Sequence, residues 1–490
     1  MLLFEGNGTP ERCCEWSPRS PFATVIPYPE KCALNSSRTG GTCGAGSTRE
    51  RPALIRAACG NSGVSSVLLS SPAGGMPGPG DRHGCPSATT GRVVVSVRIG
   101  VEEEFHLVHV ETGLPEPRAD SVLEGLPGDL FTTELQQAAV ESNSGVHTSL
   151  DDLYADLTGA RRRLDAAAAA HGLAVVAAGT VPLPRPGGVP PTAGARYRRM
   201  VDEYRKVADE QLICGAHVHV DVPDRNTAVR VMCEVSPWLP ALLALSASSP
   251  FWLGGDTGYA SWRTMLWQRW PTAGPAGCFA DAAEYDGAVR GLIDSGVISD
   301  AGMIYYDVRP SDHQRTLELR ISDSCPRAET VVLIAGLFRA LVSEARRRLE
   351  ARPSARCGTR HEWLRAAAWR AARSGLEGGL VDPRTCRESP AADVVRGLLD
   401  KVRPELGAHG DWGTVRTLAE EALAEGSAAR RIRRTAHGED LRACTDLLMA
   451  ETRGGGRGHR RLTGPTAMDF PPGRVGAKDS RTRPARVPGR

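Results

Sequence analysis

Three short apolar stretches of this sequence each carry two polar or charged residues at positions i and i+2. They are Glu102 and Glu104 in IGVEEEF, His217 and His219 in CGAHVHVD, and Glu318 and Arg320 in TLELRIS. In a strand that spacing places both side chains on one face, where a buried strand would otherwise carry Val, Ile or Leu. A buried charge must be paired, protonated or bound to metal. If the three strands converge in one sheet, they build an acidic, histidine-containing floor. Hard divalent cations take such oxygen ligands, and Mg²⁺ in particular is held by a few carboxylates together with substrate phosphates. Each pair alone has a plainer explanation: EEE as a solvated face, HxH as a core or surface histidine pair, Glu-x-Arg as an ion pair within a sheet. Their recurrence on three strands favours a site.

A second glutamate group lies in FTTELQQAAVESNSG (131–145). Glu134 and Glu141 are seven residues apart, close to two helical turns, which predicts one helix carrying both on one face. The loop SSPFWLGGDTGYASWRTMLWQRWPTAGP (248–275) concentrates four of the nine Trp with Arg263, Arg269 and the glycines 254 and 255. Guanidinium groups and the amides of a Gly-rich loop suit phosphate and carboxylate oxygens. Arg309 in DVRPS and Arg320 add two more guanidiniums. Neither a GxxxxGK[ST] loop nor a strand–GxGxxG–helix unit is present, so a bound nucleotide would not sit in a P-loop.

The elements that must position these residues follow from periodicity. Residues 92–110 are β-rich and alternate from Val97 on, with Gly113 after them as the turn, and 149–172 form a helix capped by Thr148 or Ser149 and ended by Gly172. A buried strand (173–184), an amphipathic helix (196–211) and a strand (212–222) come next. Residues 226–248 read as helix, kinked at Pro237 and Pro240. Residues 304–310 and 315–323 form a strand pair, and 327–452 are mostly helical. The order predicts an α+β fold.

The chain has 490 residues, 41% hydrophobic and 24% charged, as in a soluble globular protein. No run approaches the roughly 18 apolar residues of a membrane span, and MLLFEGNGTPERCCEW lacks the h-region of a signal peptide. A cytoplasmic protein with no membrane partner is expected. The net charge of +3 is uneven: +8 in 453–490, +3 in 1–95, and therefore −8 in 96–452. An acidic folded part makes nucleic acid a poor partner. Six of the 13 cysteines lie in the first 95 residues and the others are scattered singly without CxxC, which favours reduced thiols. Residues 1–92 contain 14 Gly and 10 Pro and are expected to be disordered, or to precede the true start of the protein. The catalytic domain is expected over 93–452, and the Gly/Pro/Arg-rich stretch 453–490 as a disordered basic tail.

Taken in order, GVEEEFHLV, ELQQAAVESNSG, CGAHVHVDVPD, LSASSPFWLGGDTGYASWR, RWPTAGP, DVRPS and TLELRISD resemble the bacterial carboxylate–amine ligases, the type 2 glutamate–cysteine ligases, over about 97–450. The resemblance implies a fold like that of glutamine synthetase and the guanidino kinases: a curved, mostly antiparallel half-barrel sheet with helices outside and a helical C-terminal third. It implies ATP and Mg²⁺ as cofactors and small amino acids as substrates, with a homodimer open as the assembly. A substrate carboxylate would attack the γ-phosphate of ATP, and an amine would then displace phosphate to leave an amide. Weak formation of γ-glutamylcysteine is the activity usually ascribed to such proteins. By match to the family's motifs, Glu102, Glu104, Glu141, His217 and Glu318 would ligate metal, with Glu134 as a further member. Arg263, Arg309 and Arg320 would hold phosphate or the substrate carboxylate, and Gly254, Gly255 and Thr257 would shape the nucleotide or acceptor loop. No cysteine is needed as nucleophile. Asp221 stands where the family has glycine and is expected to add a carboxylate near the metals. Ala138 replaces a usual serine. Two other readings compete: a metal-dependent hydrolase using His217 and His219 as zinc ligands, and a non-catalytic sensor of ATP or a metabolite.

Overall fold

In the computed structural model the described residues are 97–353, 358–436 and 440–454. The expectations for 1–92 and for most of 453–490 fall outside them. The strands are β1 (Ile99–His109), β2 (Phe131–Thr133), β3 (Ala139–Asn143), β4 (Leu173–Val176), β5 (Ala216–Asp221), β6 (Phe251–Trp252), β7 (Gly255–Asp256), β8 (Val308–Pro310), β9 (Thr316–Leu319), β10 (Gly379–Asp382) and β11 (Arg387–Pro390). Seven of them form one open antiparallel sheet in the order β2-β3-β1-β5-β9-β8. β4 pairs with the far end of β1, residues 106–109, beyond the part of β1 that pairs with β5.

The helices are α1 (Ala119–Leu123), α2 (Leu150–Ala169), α3 (Ala195–Tyr204), α4 (Lys206–Asp209), α5 (Arg225–Val235), α6 (Leu239–Ser246), α7 (Trp262–Trp267) and α8 (Ala282–Asp294). The C-terminal third adds α9 (Ala328–Ala351), α10 (His361–Ser374), α11 (Ala391–His409), α12 (Trp412–Glu425), α13 (Ala428–Thr435) and α14 (Leu441–Thr452). That third is helical as expected, apart from the β10–β11 hairpin. Ser149 caps α2, its hydroxyl accepting from the Asp151 and Asp152 amides. Leu150, Leu153, Leu157, Leu164 and Ala168 then recur at helical spacing and are buried. Pro237 turns the chain through a short 3₁₀ segment between α5 and α6. The span 225–246 has the length and apolarity of a membrane helix, but 83% of its apolar window is buried inside the fold.

Two faces of the sheet have different fates. Ile99, Val101, Val218, Val220, Leu317 and Leu319 turn to one side and join a core with α5, α6, α9 and α11. Glu102, Glu104, His217, His219 and Glu318 alternate with them and therefore face the other side. Glu103 lies on the core side. It receives Arg161 Nε at 3.2 Å and Nη2 at 2.5 Å, and the same guanidinium donates to the carbonyls of Pro326 and Cys325.

Some local expectations fail. Residues 131–145 are not a helix: β2 and β3 form a hairpin with Glu134 in its turn. ELQQAA suits a helix locally, but β3 gains a full ladder with β1, from Glu102↔Asn143 to His106↔Ala139. Tertiary pairing overrides propensity here. The predicted helix 196–211 is also broken, at Arg205, whose φ of +50° ends α3.

Candidate functional site

The ladder registers align the polar residues side by side. Glu104 pairs with Glu141, Glu102 with His217, His219 with Glu318, and Glu318 with Arg309. Cross-strand neighbours lie roughly 4.5–5.5 Å apart at Cβ, so β3, β1, β5, β9 and β8 contribute to one continuous floor. Glu102, Glu104, Glu134, Glu141, His217, Arg263 and Arg320 line a single cavity of about 210 Å³. Its far wall comes from Tyr197 and Met200 on α3, Trp267 on α7, and Trp270 and Tyr305.

The charges within it are unevenly matched. At the β9 end, Glu318 accepts from Arg309 Nε at 2.7 Å and from Arg320 Nη1. Burial alone would raise this carboxyl, but the two guanidiniums hold it down at about 2. Glu102 bridges both histidines, 3.1 Å from His217 Nδ1 and 3.2 Å from His219 Nε2. It too lies well below the usual carboxylate range, because those contacts outweigh its burial. At the β3 end Glu134 and Glu141 have no Arg or Lys ion pair among the described residues. Burial, with Glu102 and Glu104 nearby, lifts Glu141 to about 7. Glu134 is raised further, by burial and then by Glu104 and Glu141. Burial and Arg320 lower His217, and its Nε2 is buried without a hydrogen-bond partner, 3.7 Å from Glu104.

Among the described residues, three sets of ligand atoms are close enough to share a cation: Glu102, Glu141 and His217; Glu102, His219 and Glu318; and Glu104, Glu134 and Glu141. The orphaned His217 nitrogen and the unneutralised carboxylates fit a hard divalent cation, since oxygen donors predominate in every set. The two histidines never fall in the same set, so an HxH zinc pair of the hydrolase kind is not formed.

The other predicted residues are placed as follows. Arg320 and Arg263 border the cavity and lie 5.8 and 5.6 Å from the Trp267 ring centre. Arg309 does not line it. Its guanidinium is committed to Glu318 and to the Gly302 and Ile304 carbonyls, so it positions Glu318. Gly254, Gly255 and Thr257 are not brought to the cavity. They form the β6–β7 hairpin, where Gly254 (φ +84°) occupies the turn and Thr257 donates to the Pro250 carbonyl. Asp221 pairs with Arg98 at 2.5 Å and joins no ligand set, because β5 carries it past the end of the acidic row. Arg269 is paired with Glu210 at 2.6 Å.

Sequence reasoning missed the wall residues Tyr197, Met200 and Tyr305. Trp267 and Trp270 were signalled by the tryptophan-rich loop. Asp323 was also missed: it accepts from Ser248 N, Ser249 Oγ and Ser261 Oγ and so fixes that loop to the sheet. The serines of SASSP and ASW were its only trace.

Gly215 precedes β5 and donates its amide to Glu104 Oε2 at 2.5 Å. A methyl group there would collide with the Arg263 guanidinium. Gly215→Ala is therefore expected to push Arg263 out of place and lower kcat/KM by about 10²-fold. Thermal denaturation should change little, because a side-chain tip can shift. Wild-type kinetics for the variant would remove Arg263 from the site.

The profile of the glutamate–cysteine ligase family, family 2, matches residues 98–446. A relative from Frankia casuarinae is 53% identical over 358 residues, covering 73% of this chain and 42% of its own length. One from Mycolicibacterium smegmatis is 51% identical over 356 residues, covering 72% of this chain and 89% of its own. Both carry the name glutamate–cysteine ligase 2, itself an inferred assignment. The chain thus matches less than half the length of the Frankia relative. Among solved structures, the glutamate–cysteine ligase of Francisella tularensis in complex with AMP aligns at TM-score 0.56 and 11% identity, over 75% of this chain and 90% of that one. A bifunctional glutathione synthetase from Pasteurella multocida aligns at TM-score 0.55 and 15% identity, over 73% of this chain and 52% of that one. At these identities the likeness is one of fold, and it agrees with the mostly antiparallel sheet and outer helices that the family resemblance implies.

Proposed function

The chain belongs to glutamate–cysteine ligase family 2, and from that premise we propose that it is an ATP-dependent carboxylate–amine ligase. Its substrates are a pair of small amino acids, with glutamate and cysteine giving γ-glutamylcysteine as the leading case. The observation that carries this reading is the layout of the floor: Glu104, Glu134 and Glu141 bring their oxygens together at the β3 end, in the cavity that is also lined by Arg320 and Arg263, each with a buried Nε that has no hydrogen-bond partner.

Glu102, Glu104, Glu134, Glu141, His217 and Glu318 would hold Mg²⁺, which supplies charge compensation for the phosphates. Arg320 and Arg263 line the same cavity and would bind the phosphoryl oxygens or the substrate carboxylate. The carboxylate oxygen attacks the γ-phosphorus, ADP leaves, and an acyl phosphate forms. The amine nitrogen then attacks the acyl carbon, phosphate leaves, and the amine gives up a proton. Trp267, Trp270 and Tyr305 close one wall with rings 4.8 to 5.5 Å apart, shielding the acyl phosphate from water. Arg309 keeps Glu318 ionised and in place.

The test is phosphate release from ATP by the full chain with Mg²⁺ and amino acids offered singly and in pairs. Release that needs glutamate plus cysteine supports the stated product. Another required pair would keep the ligase and change the substrate. A folded, ATP-binding protein that releases no phosphate with any pair would overturn the ligase in favour of a sensor.

The raised carboxyls also set a pH dependence. Glu141 holds its proton up to about pH 7 and must lose it to bind a cation, so binding releases protons. The Mg²⁺ concentration for half-maximal effect should fall as pH rises from 6 to 8, by about tenfold per unit below the pKa for one released proton. A pH-independent requirement would remove Glu141 from the ligand set.

A further inference from the structure

Gln136 lies in the turn between β2 and β3 and is 1% exposed. Its Nε2 donates to the Ala208 carbonyl at 2.8 Å and to the Asp209 carbonyl at 3.4 Å, on the last two residues of α4. The final carbonyls of a helix have no partner within it, so this amide caps α4, and the contacts fix which end of the carboxamide is oxygen. Oε1 is left buried without a hydrogen-bond partner, in a residue that lines the cavity. A buried acceptor in that state is costly until a donor reaches it. We propose that Gln136 Oε1 accepts a hydrogen bond from the ammonium group of the amino-acid substrate that supplies the carboxylate. The proposal rests on the ligase reading for its substrate and names a residue that selects it.

The strongest competing acceptors are already claimed. Glu102, Glu104, Glu134 and Glu141 all fall in the ligand sets for a cation. Gln211 also lines the cavity, but its Oε1 accepts from Trp270 Nε1 at 2.8 Å, and an indole nitrogen can only donate. The Gln211 backbone amide shares the Ala208 carbonyl with Gln136, at 3.2 Å, so Gln136 is anchored to the segment that also fixes Trp270. The chemistry of the acceptor then selects its ligand. Carboxylate and ionised phosphoryl oxygens carry no hydrogen and cannot satisfy Oε1, whereas an ammonium can, through a charge-assisted bond. An analogue without that group would leave the oxygen unpaired, which is how a buried polar site rejects it.

The probes are L-glutamate and glutarate, which share both carboxylates and differ by the α-ammonium. Each is titrated calorimetrically into the full chain with Mg²⁺ present. Wild type should bind glutamate more tightly than glutarate by about tenfold or more, and Gln136→Met should lower that ratio by about tenfold. Gln136→Glu should keep it. Both variants lose the Nε2 donors to α4, so a merely structural role would change them alike; only the carboxylate variant retains an acceptor oxygen. Equal binding of the two probes by wild type, an unchanged ratio in Gln136→Met, or a lost ratio in Gln136→Glu would overturn the proposal, as would a wild-type protein that binds neither. If Gln136→Met does not melt cooperatively, Gln136→Glu decides alone. Binding is read without turnover. A chain that shows the expected ratios but releases no phosphate loses the ligase and keeps Gln136, while one that releases phosphate with a ratio indifferent to residue 136 does the reverse.

Discussion

Glu102→Gln should lower ATP-dependent phosphate release by on the order of 10³-fold while the protein stays folded. Glu102 belongs to two of the three ligand sets and is the carboxylate that both histidines contact. Glutamine keeps the shape and removes the charge, so two sets each lose an anionic ligand. The electrostatics at neighbouring groups move as well. Burial opposes the charged form of His219, and contact with Glu102 raises it, so the imidazole becomes easier to deprotonate in the variant. Glu141 is raised in part by Glu102 and should titrate lower. Because the two histidine contacts hold Glu102 ionised in the fold, the thermal midpoint of the metal-free protein should fall modestly. Kinetics over a range of Mg²⁺, with a melting curve beside them, check both halves. Activity within threefold of wild type would remove Glu102 from the site.

The adjacent glutamate should behave in the opposite way. Glu103→Gln is expected to cost about 3–5 kcal/mol of stability, the usual penalty for removing one partner of a buried ion pair. The Arg161 and Glu103 side chains are 3% and 0% exposed. The guanidinium that Glu103 neutralises also ties α2 to the Pro326 and Cys325 carbonyls. Neutral glutamine would leave that cation uncompensated between sheet and helix. The denaturant midpoint should fall sharply, while kcat of the remaining folded protein stays near wild type. Lost kcat at unchanged stability would mean that Glu103 belongs to the chemistry, contrary to its place on the core face. The EEE run thus combines two glutamates that line the cavity with one that holds the fold, separated only by the alternation of a strand.

Much of the site was legible before folding was considered. The i, i+2 pairs on three strands were visible because charge inside an apolar strand is costly and needs a reason. Their faces follow from the strand period alone. Glu134 and Glu141 were also recognised as a pair, but through the wrong geometry. Seven residues fit two helical turns as well as a tight hairpin, and only β1, some 30 residues earlier in the chain, breaks the tie by offering β3 a ladder. The Gly254–Thr257 loop shows the reverse error. Glycine and threonine in a loop suit anion binding, yet the same residues suit a β-turn, and here the turn is what forms.

The sequence by itself determined which residues carry charge into the interior, the α+β order of elements, and membership of the ligase family. Those features are local: residue type, period and motif order require no partner. The tertiary structure alone decided that Arg309 holds Glu318 and does not line the cavity. It alone turned Asp221 to Arg98, closed the wall with Tyr197 and Tyr305, and seated the Gln136 amide on the end of α4. Each of these is a meeting of residues distant in the chain, set by strand register and helix packing, and no local pattern encodes which distant partner a side chain will find.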